Sequence, residues 1–285
     1  MISRNGLNIV LLLVVAGLAL LVYLQSNKEL EGEPVTLLAS VDTAALNELR
    51  LERAGGEAIS FRRMGEQWVM PEHSLPPASP VIANKFRVER LLSWFSLQMA
   101  AHYDATGLEL SKYGLHEPRA RLIAGDVAIA FGSIDPLRPR RYVLVGGIIH
   151  LAPDNDSSAL FAPWTDFVSP RLLPEGKRII SMIIPGLGTL QRGDKGWLYS
   201  GDDAPQSADV MQALVDRWGS AQAFDVEHIE GLKGEGTLKI NFDDSSSPLT
   251  FHVVHNQEVV LLVNPESQIA YQVSNEQAQR LVSWE

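Results

Sequence analysis

The chain contains no cysteine. It therefore has no disulfide bond, no thiol nucleophile and no cysteine-ligated zinc site. The absence does not indicate a compartment, because many exported bacterial domains of this size fold without disulfides.

Positive charge is also scarce, since 24 Lys and Arg residues stand against 34 Asp and Glu residues and give a net charge of −10. A general nucleic-acid-binding protein would normally be basic, so this function class is disfavoured. The dense basic stretch "RPRR", Arg138–Arg141, is short and more typical of a solvated loop beside a strand than of a phosphate site.

The familiar catalytic and metal-binding motifs are missing as well. The chain has no G-x-S-x-G elbow, no H-E-x-x-H motif, and no Walker-type Lys-Ser/Thr pair after its glycine-rich stretches. His252 and His255 lie three residues apart on a predicted strand, so their side chains point to opposite faces and cannot chelate one ion together. We therefore predict no catalytic residue, no cofactor and no metal site.

Two acidic, serine-rich stretches, residues 153–158 and 242–247, need a separate interpretation. Both lack the central Gly and distal Glu of a calcium loop, and we interpret both as hairpin loops. A glycosidase-like carboxylate pair stays open, because a single sequence does not show which acids meet in space.

One long apolar run is present, "LNIVLLLVVAGLALLVYL" at residues 7–24. At about 1.5 Å per residue it forms a helix about 27 Å long, close to the hydrocarbon thickness of a bilayer. A cleaved signal peptide is the alternative, but the run exceeds the roughly 7–15 apolar residues of a signal and no small-x-small site follows it. A buried soluble helix is disfavoured because the run has no polar face. We predict an uncleaved transmembrane helix.

The flanks of this run predict its orientation. Arg4 and the α-amino group precede it, whereas Lys28 follows it among three Glu residues. The positive-inside rule then makes residues 1–6 a cytoplasmic tail and residues 25–34 a tether on the other side of a bacterial inner membrane. The rest of the chain is expected in the periplasm.

The remaining chain shows an internal repeat. "GEQWVMP", Gly65–Pro71, and "DKGWLYS", Asp194–Ser200, each have a turn followed by Trp and alternating apolar residues. Upstream of each, alternating apolar residues separated by glycine turns predict the first strands of a three-stranded meander.

A main helix is predicted after each meander. The first is expected to begin at Ser79 with Pro80 in its first turn, and the second at Ser207. The expected core stripe of the first helix is Phe86, Leu91, Leu92, Phe95 and Met99, and that of the second is Val210, Leu214, Trp218 and Ala221.

Two hairpins and a short helix follow in each copy, and Ser274 and Gln277 have capping-box spacing at the last of these helices. The grouping of strands and helices favours an α+β fold with antiparallel sheets over a doubly wound parallel sheet. We place the copies at residues 35–174 and 175–285, and one sheet that continues across both stays an alternative. Four Trp residues are expected in the core: Trp68, Trp94, Trp197 and Trp218.

Several of these stretches resemble the bacterial domain-of-unknown-function 4340 family. They are "GEQWVMP", "RLLSWF", "KYGLHEP" at Lys112–Pro118, and "IAFG" followed by "RYVLV". The resemblance covers most of the chain and implies one N-terminal membrane span with duplicated α/β units. The second copy departs from it, since "GLKGEG" lacks the Tyr and the Pro. Members are often encoded beside gliding-motility-type ABC-transporter subunits, which implies an accessory role in an envelope complex and brings no catalytic residues.

The "KYGLHEP" element has two interpretations. It either forms a turn, with Tyr113 as anchor, Gly114 at an unusual φ and Pro118 at a rigid exit, or a loop that binds a partner. Because this element and "RPRR" occur in the first copy alone, we take them together as a candidate partner surface: Tyr113, Gly114, Pro118, Arg138, Arg140 and Arg141.

Three functions stay open at this point. The first is a non-enzymatic accessory or scaffold subunit that binds membrane-protein partners of the ABC-transporter type. The second is a periplasmic module that binds lipid, glycan or peptide in an apolar cleft at the repeat interface. The third is a hydrolase with unrecognised carboxylates, which needs convergent acids in a concave site.

Overall fold

A computed structural model describes residues 15, 17–18, 36–39, 41–71, 81–99, 102–137, 139–154, 157–202, 205, 207–232, 234–245, 247–256 and 258–284. In this part of the chain the fold is mixed α+β, with two large antiparallel sheets and few helices. The predicted fold class is confirmed at this level, and the sheets are separate rather than continuous.

The first sheet has nine described strands in the order β5-β4-β3-β2-β8-β9-β10-β11-β7. Their bounds are β2 Glu48–Arg53, β3 Ile59–Met64, β4 Gln67–Met70, β5 Val81–Ile82, β7 His102–Asp104, β8 Ala120–Ala124, β9 Val127–Ile134, β10 Arg140–Val145 and β11 Ile148–Pro153. A separate two-stranded ribbon pairs β1, Thr36–Leu37, with β6, Gln98–Met99.

The second sheet has eight described strands in the order β14-β13-β12-β16-β17-β18-β19-β15. Their bounds are β12 Ile179–Ile184, β13 Gly188–Gly193, β14 Gly196–Ser200, β15 Asp225–His228, β16 Gly236–Phe242, β17 Leu249–His255, β18 Val259–Asn264 and β19 Ile269–Ser274. Apart from β5, its order corresponds strand for strand to that of the first sheet.

The last hairpins of the two sheets can be matched by counting from their turns. Val145↔Ile148 is the pair next to the turn of β10–β11, and Asn264↔Ile269 is the pair next to the turn of β18–β19. Counting back four residues on β10 and β18 matches Arg141 with Val260.

The first helix begins later than predicted. Helix α1 spans Lys85–Leu92, with Asn84 as its N-cap, and the 3-10 helix η1 continues it over Ser93–Ser96. The expected start was wrong because the β-branched pair Val81–Ile82 extends the first sheet beside β4. Ser79 and Pro80 lie outside the described residues, and Phe86 is 64% exposed rather than part of the core stripe.

Two of the other helices begin at their predicted capping residues. A one-turn helix α2, Ser158–Phe161, precedes η3, Trp164–Phe167, and α3 spans Ala208–Ser220. The Ser207 hydroxyl accepts a hydrogen bond from the N–H of Val210, as predicted. Helix α4, Asn275–Leu281, begins at the predicted cap, where the Ser274 hydroxyl accepts from the N–H of Gln277 at 3.1 Å.

One apolar core connects both sheets and the helices that pack on them. The four Trp residues expected in the core are buried, with Trp94 and Trp218 at most 1% exposed, so that prediction is confirmed. Two backbone hydrogen bonds join the segment after the first sheet to the segment after α3. Leu172 N–H donates to the Ala221 carbonyl, and Ala223 N–H donates to the Pro170 carbonyl.

Most of the predicted membrane span, residues 7–24, lies outside the described residues. Val15, Gly17 and Leu18 are described and are helical. Among the described residues, no helix is both long and apolar enough to cross a bilayer.

Candidate functional site

The "KYGLHEP" element lies against the first sheet. Its first residues form the 3-10 helix η2, Leu110–Tyr113, which ends at Gly114 in the left-handed conformation, with φ 64°. This confirms the unusual φ predicted for Gly114. Leu115 follows and is buried, with its N–H donating to the Leu110 carbonyl at 2.9 Å. The loop is therefore an anchored turn.

A close backbone contact fixes this loop in place. A Cβ atom at Gly132 on β9 would overlap the carbonyl oxygen of Tyr113 and lie 3.0 Å from the Leu115 side chain. Glycine at position 132 therefore permits the loop to pack directly on the strand. Pro118 is half-buried where the chain leaves the loop and enters β8.

Three tyrosines gather on this side of the first sheet. The rings of Tyr113 and Tyr142 meet edge to face, with centroids 5.0 Å apart. Burial raises the pKa of the Tyr142 hydroxyl, and the nearby Asp135, Tyr113 and Tyr103 raise it further. Tyr103, on the edge strand β7, is 52% exposed. We call Tyr103, Tyr113, Tyr142 and the neighbouring Arg140 the tyrosine surface.

The two described arginines of "RPRR" point to opposite faces of β10. Arg140 is half-buried and shares a face of β10 with Tyr142, two residues away. Arg141 points to the opposite face and is 2% exposed. Arg138 lies outside the described residues.

Arg141 forms a buried polar cluster beneath the sheet. Its Nε donates to Asp154 Oδ1 at 2.7 Å, and its Nη1 donates to the Gly132 carbonyl at 2.7 Å. The guanidinium also lies 5.4 Å from the ring of Phe161. Arg141 therefore joins β9, β10 and α2 and is not available to a partner. The stretch at 153–158 connects β11 to α2, so its interpretation as a hairpin loop was wrong.

A cleft of about 760 Å³ opens between elements of the two sheets. It is lined by apolar and polar side chains, among them Trp68, Phe86, Arg171, Leu249, Phe251 and Tyr271. Its size is within the range of about 300–1,000 Å³ typical of small-molecule sites. The second hypothesis required such a cleft at this interface.

Tyr271 gives this cleft a hydrogen-bond donor. Burial raises the pKa of its hydroxyl to about 12, so the phenol is protonated at neutral pH. Its ring meets Phe251 edge to face at 5.9 Å. Because it lines the cleft and keeps its proton, the hydroxyl can donate a hydrogen bond to a ligand there.

Two histidines face each other at the edge of the first sheet. His102 on β7 pairs with His150 on β11, and their rings lie 6.3 Å apart. His150 is 5% exposed, and its Nδ1 is buried without a hydrogen-bond partner. Burial, and then the proximity of His102, lower the pKa of His150.

Among the described residues, no three His, Asp or Glu side chains lie close enough to hold a metal ion. His252 and His255 lie on the strand β17, as predicted. Loop 242–247 joins β16 to β17, and the prediction of a hairpin loop there is confirmed.

Comparison with protein-family models, with curated proteins and with solved structures finds no match for this chain. The resemblance to the domain-of-unknown-function 4340 family stays a prediction. Sequence reasoning identified Tyr113 and Arg140 but missed Tyr103 and Tyr142. The alternation in "RYVLV" carried a usable signal, because it places Arg140 and Tyr142 on one face of a strand.

Proposed function

We propose that the protein is a non-enzymatic accessory or scaffold subunit of an ABC-transporter-type envelope complex, anchored in the bacterial inner membrane. In this proposal residues 7–24 span the membrane with the N-terminus in the cytoplasm. Residues 35–174 and 175–285 are two copies of one α+β unit in the periplasm. The partners are other membrane proteins, and no cofactor is involved.

The corresponding strand orders of the two sheets support the duplication. A second correspondence comes from the segments that follow β7 and β15. Gly114 and Gly231 both have a left-handed φ, 64° and 68°, and each precedes a Leu that packs on its own sheet. Two unrelated units would have no reason to share both the strand order and this turn.

The tyrosine surface is the observation that carries the partner-binding role. Tyr and Arg are enriched at protein interfaces and, with Trp, among the residues that have large effects on affinity. Tyr103 and Tyr142 combine aromatic area with a hydroxyl that can bond to a partner. Arg140 adds a charged donor on the same face.

Co-purification tests this role. Extracted from membranes in mild detergent, the full-length chain should elute with other membrane proteins, and elution as a lone species contradicts the proposal. The double variant Tyr103→Ala, Arg140→Glu should weaken the association at least about tenfold, since interface Tyr and Arg residues often contribute 2 kcal/mol or more. Glu227→Ala, at the position on β15 that matches Tyr103, should leave the association unchanged.

The anchor is tested separately. After an alkaline carbonate wash, the full-length chain should stay with the membrane pellet. A variant without residues 1–30 should appear in the periplasmic or soluble fraction. Full release of the intact chain would show that residues 7–24 are not an integral span.

The cleft favours ligand binding at the sheet interface as a second candidate function. Such a ligand would contact Phe251 and accept a hydrogen bond from Tyr271. Fractions of bacterial lipid, peptidoglycan fragments and peptides should be compared for their effect on the unfolding temperature of the full-length chain. A fraction that raises it should act several-fold more weakly on Tyr271→Phe, because a hydrogen bond contributes about 1 kcal/mol. No effect from any fraction counts against this role.

A further inference from the structure

A second, more apolar pocket lies at the second sheet, away from the tyrosine surface and lined by residues other than those of the cleft. Its volume is about 520 Å³, and it lies between the turn Pro185–Gly186, strands β16–β18 and helix α4. The deep wall is formed by side chains that are at most 4% exposed: Trp218, Leu238, Val260, Leu262 and Leu281. The pocket thus reaches the core of this sheet.

The polar groups lie at the edges of the elements that surround the pocket. Glu235 precedes β16, His255 ends β17, and Asn275 and Gln279 lie on α4. No Lys or Arg is among the described residues that line it. A carboxylate or phosphate would therefore find no cation here, whereas hydroxyl groups would find hydrogen-bond partners.

At the matching position of the first sheet, a large buried side chain lies on this side of the strands. There, Arg141 extends beneath the sheet, pairs with Asp154 and packs on Phe161. Val260 occupies the matching position on β18 and is too short to fill the same volume. Because protein interiors are otherwise close-packed, an apolar volume of this size is typical of a binding site.

We propose that this pocket binds the hydrocarbon chain of a single-chain lipid with an uncharged head group. The chain contacts Trp218, Leu238 and Leu262, and the head group lies among Glu235, His255 and Asn275. This lipid site is independent of the tyrosine surface, and its failure would leave the partner-binding role intact.

Bromine-substituted lipid provides a direct probe, because bromine quenches tryptophan fluorescence only at close contact. The full-length chain, reconstituted in lipid nanodiscs, is titrated with dibromostearoyl glycerol, which has an uncharged head group. Quenching should saturate in the wild type, and the saturable part should disappear in Trp218→Phe. Trp197→Phe is the matched control, since Trp197 is also buried in the second unit but does not line the pocket. This variant should keep the saturable quenching.

A second variant fills the pocket with a side chain and controls for the possibility that Trp218→Phe fails to fold. Ala278→Phe places a ring in the pocket from α4 and leaves Trp218 unchanged, so it should abolish the quenching while the protein still unfolds cooperatively. Dibromostearic acid, which is anionic, should require at least about tenfold more ligand, because the described lining has no cation.

Three results would overturn the lipid site. Equal saturable quenching in wild type and Trp218→Phe would show that the lipid does not enter the pocket. Quenching that survives Ala278→Phe would show the same. Absence of saturable quenching in the full-length wild type would mean that lipid does not enter the pocket. This holds also if the chain's own apolar segment, residues 7–24, occupies it.

Discussion

The two sheets have corresponding strand orders, but matching positions carry different chemistry. On the outer face, Tyr103 and Tyr142 of the first sheet match Glu227 and Leu261 of the second. The outer face of the second sheet is an aliphatic cluster of Leu261, Val263 and Ala270, packed with Ile229 and Leu232. The first therefore presents aromatic groups that a partner can bind, whereas the second is closed by its own chain.

On the inner faces, the cavities lie at the second sheet and not at the matching positions occupied by Arg141 and Asp154 of the first. Beneath the first sheet, the buried side chain of Arg141 pairs with Asp154, whereas beneath the second sheet Val260 lines an apolar pocket. His150 of the first sheet matches Tyr271 of the second, which lines the cleft. One arrangement of strands thus supports an outward-facing surface on the first sheet and inward-facing cavities on the second.

The largest effect is expected from breaking the buried pair. Arg141→Ala should lower the free energy of unfolding by about 3 kcal/mol, because it leaves Asp154 partly buried without its partner. Arg140→Ala, one residue away on the outer face, should cost less than about 0.5 kcal/mol. Urea denaturation of both variants measures the contrast. Equal losses of unfolding free energy in the two variants would show that the buried Arg141–Asp154 pair contributes no more to stability than Arg140 on the outer face.

The matched glycines provide the next comparison. A Cβ atom at Gly114 would lie 2.9 Å from the Ser133 nitrogen, whereas at Gly231 nothing lies within 4 Å. Both have a left-handed φ, which costs a non-glycine residue about 1–2 kcal/mol. Gly114→Ala should therefore lose about 1 kcal/mol more stability than Gly231→Ala, since only the former also displaces a neighbour. Thermal unfolding of both variants decides whether the first loop is the more tightly packed.

The smallest effect is a pH dependence of stability that comes from His150 of the first sheet. Because the folded pKa of His150 is lowered, the unfolded chain binds more protons as pH falls below the unfolded pKa of about 6.5. Stability should thus be highest above this pH and decline as the pH falls toward the folded pKa. His150→Phe should flatten the decline, and His116→Gln, an exposed control, should not. An unchanged slope in His150→Phe would assign the decline to other groups.

The sequence predicted most of the fold where local chemistry decides the structure. Ser207 and Ser274 cap the helices that were predicted to begin there. Trp68 and Trp197 are buried in the last strands of the predicted meanders. The start of the first helix was missed because Val81 and Ile82 pair with β4, a long-range preference that overrides a local Ser-Pro signal.

The candidate sites were less accessible to sequence reasoning. "KYGLHEP" identified one side of the tyrosine surface, but Tyr103 reaches it from the edge strand β7, whose pairing with β11 is not visible in the sequence. The cleft and the apolar pocket depend on how distant segments meet, and Val260 becomes informative only once its position is matched with that of Arg141. The buried role of Arg141 was hidden in a run of four basic or proline residues.

Site-specific photo-crosslinking tests the partner-binding role most directly. A photoreactive phenylalanine analogue is placed at position 103 or 227 of the full-length chain, and cells are irradiated before the membranes are solubilised. Position 103 should yield a discrete crosslinked product with another membrane protein, and the matching position 227 should yield little or none. Equal products at both positions, or none at position 103, would contradict the proposal that the tyrosine surface binds the partner.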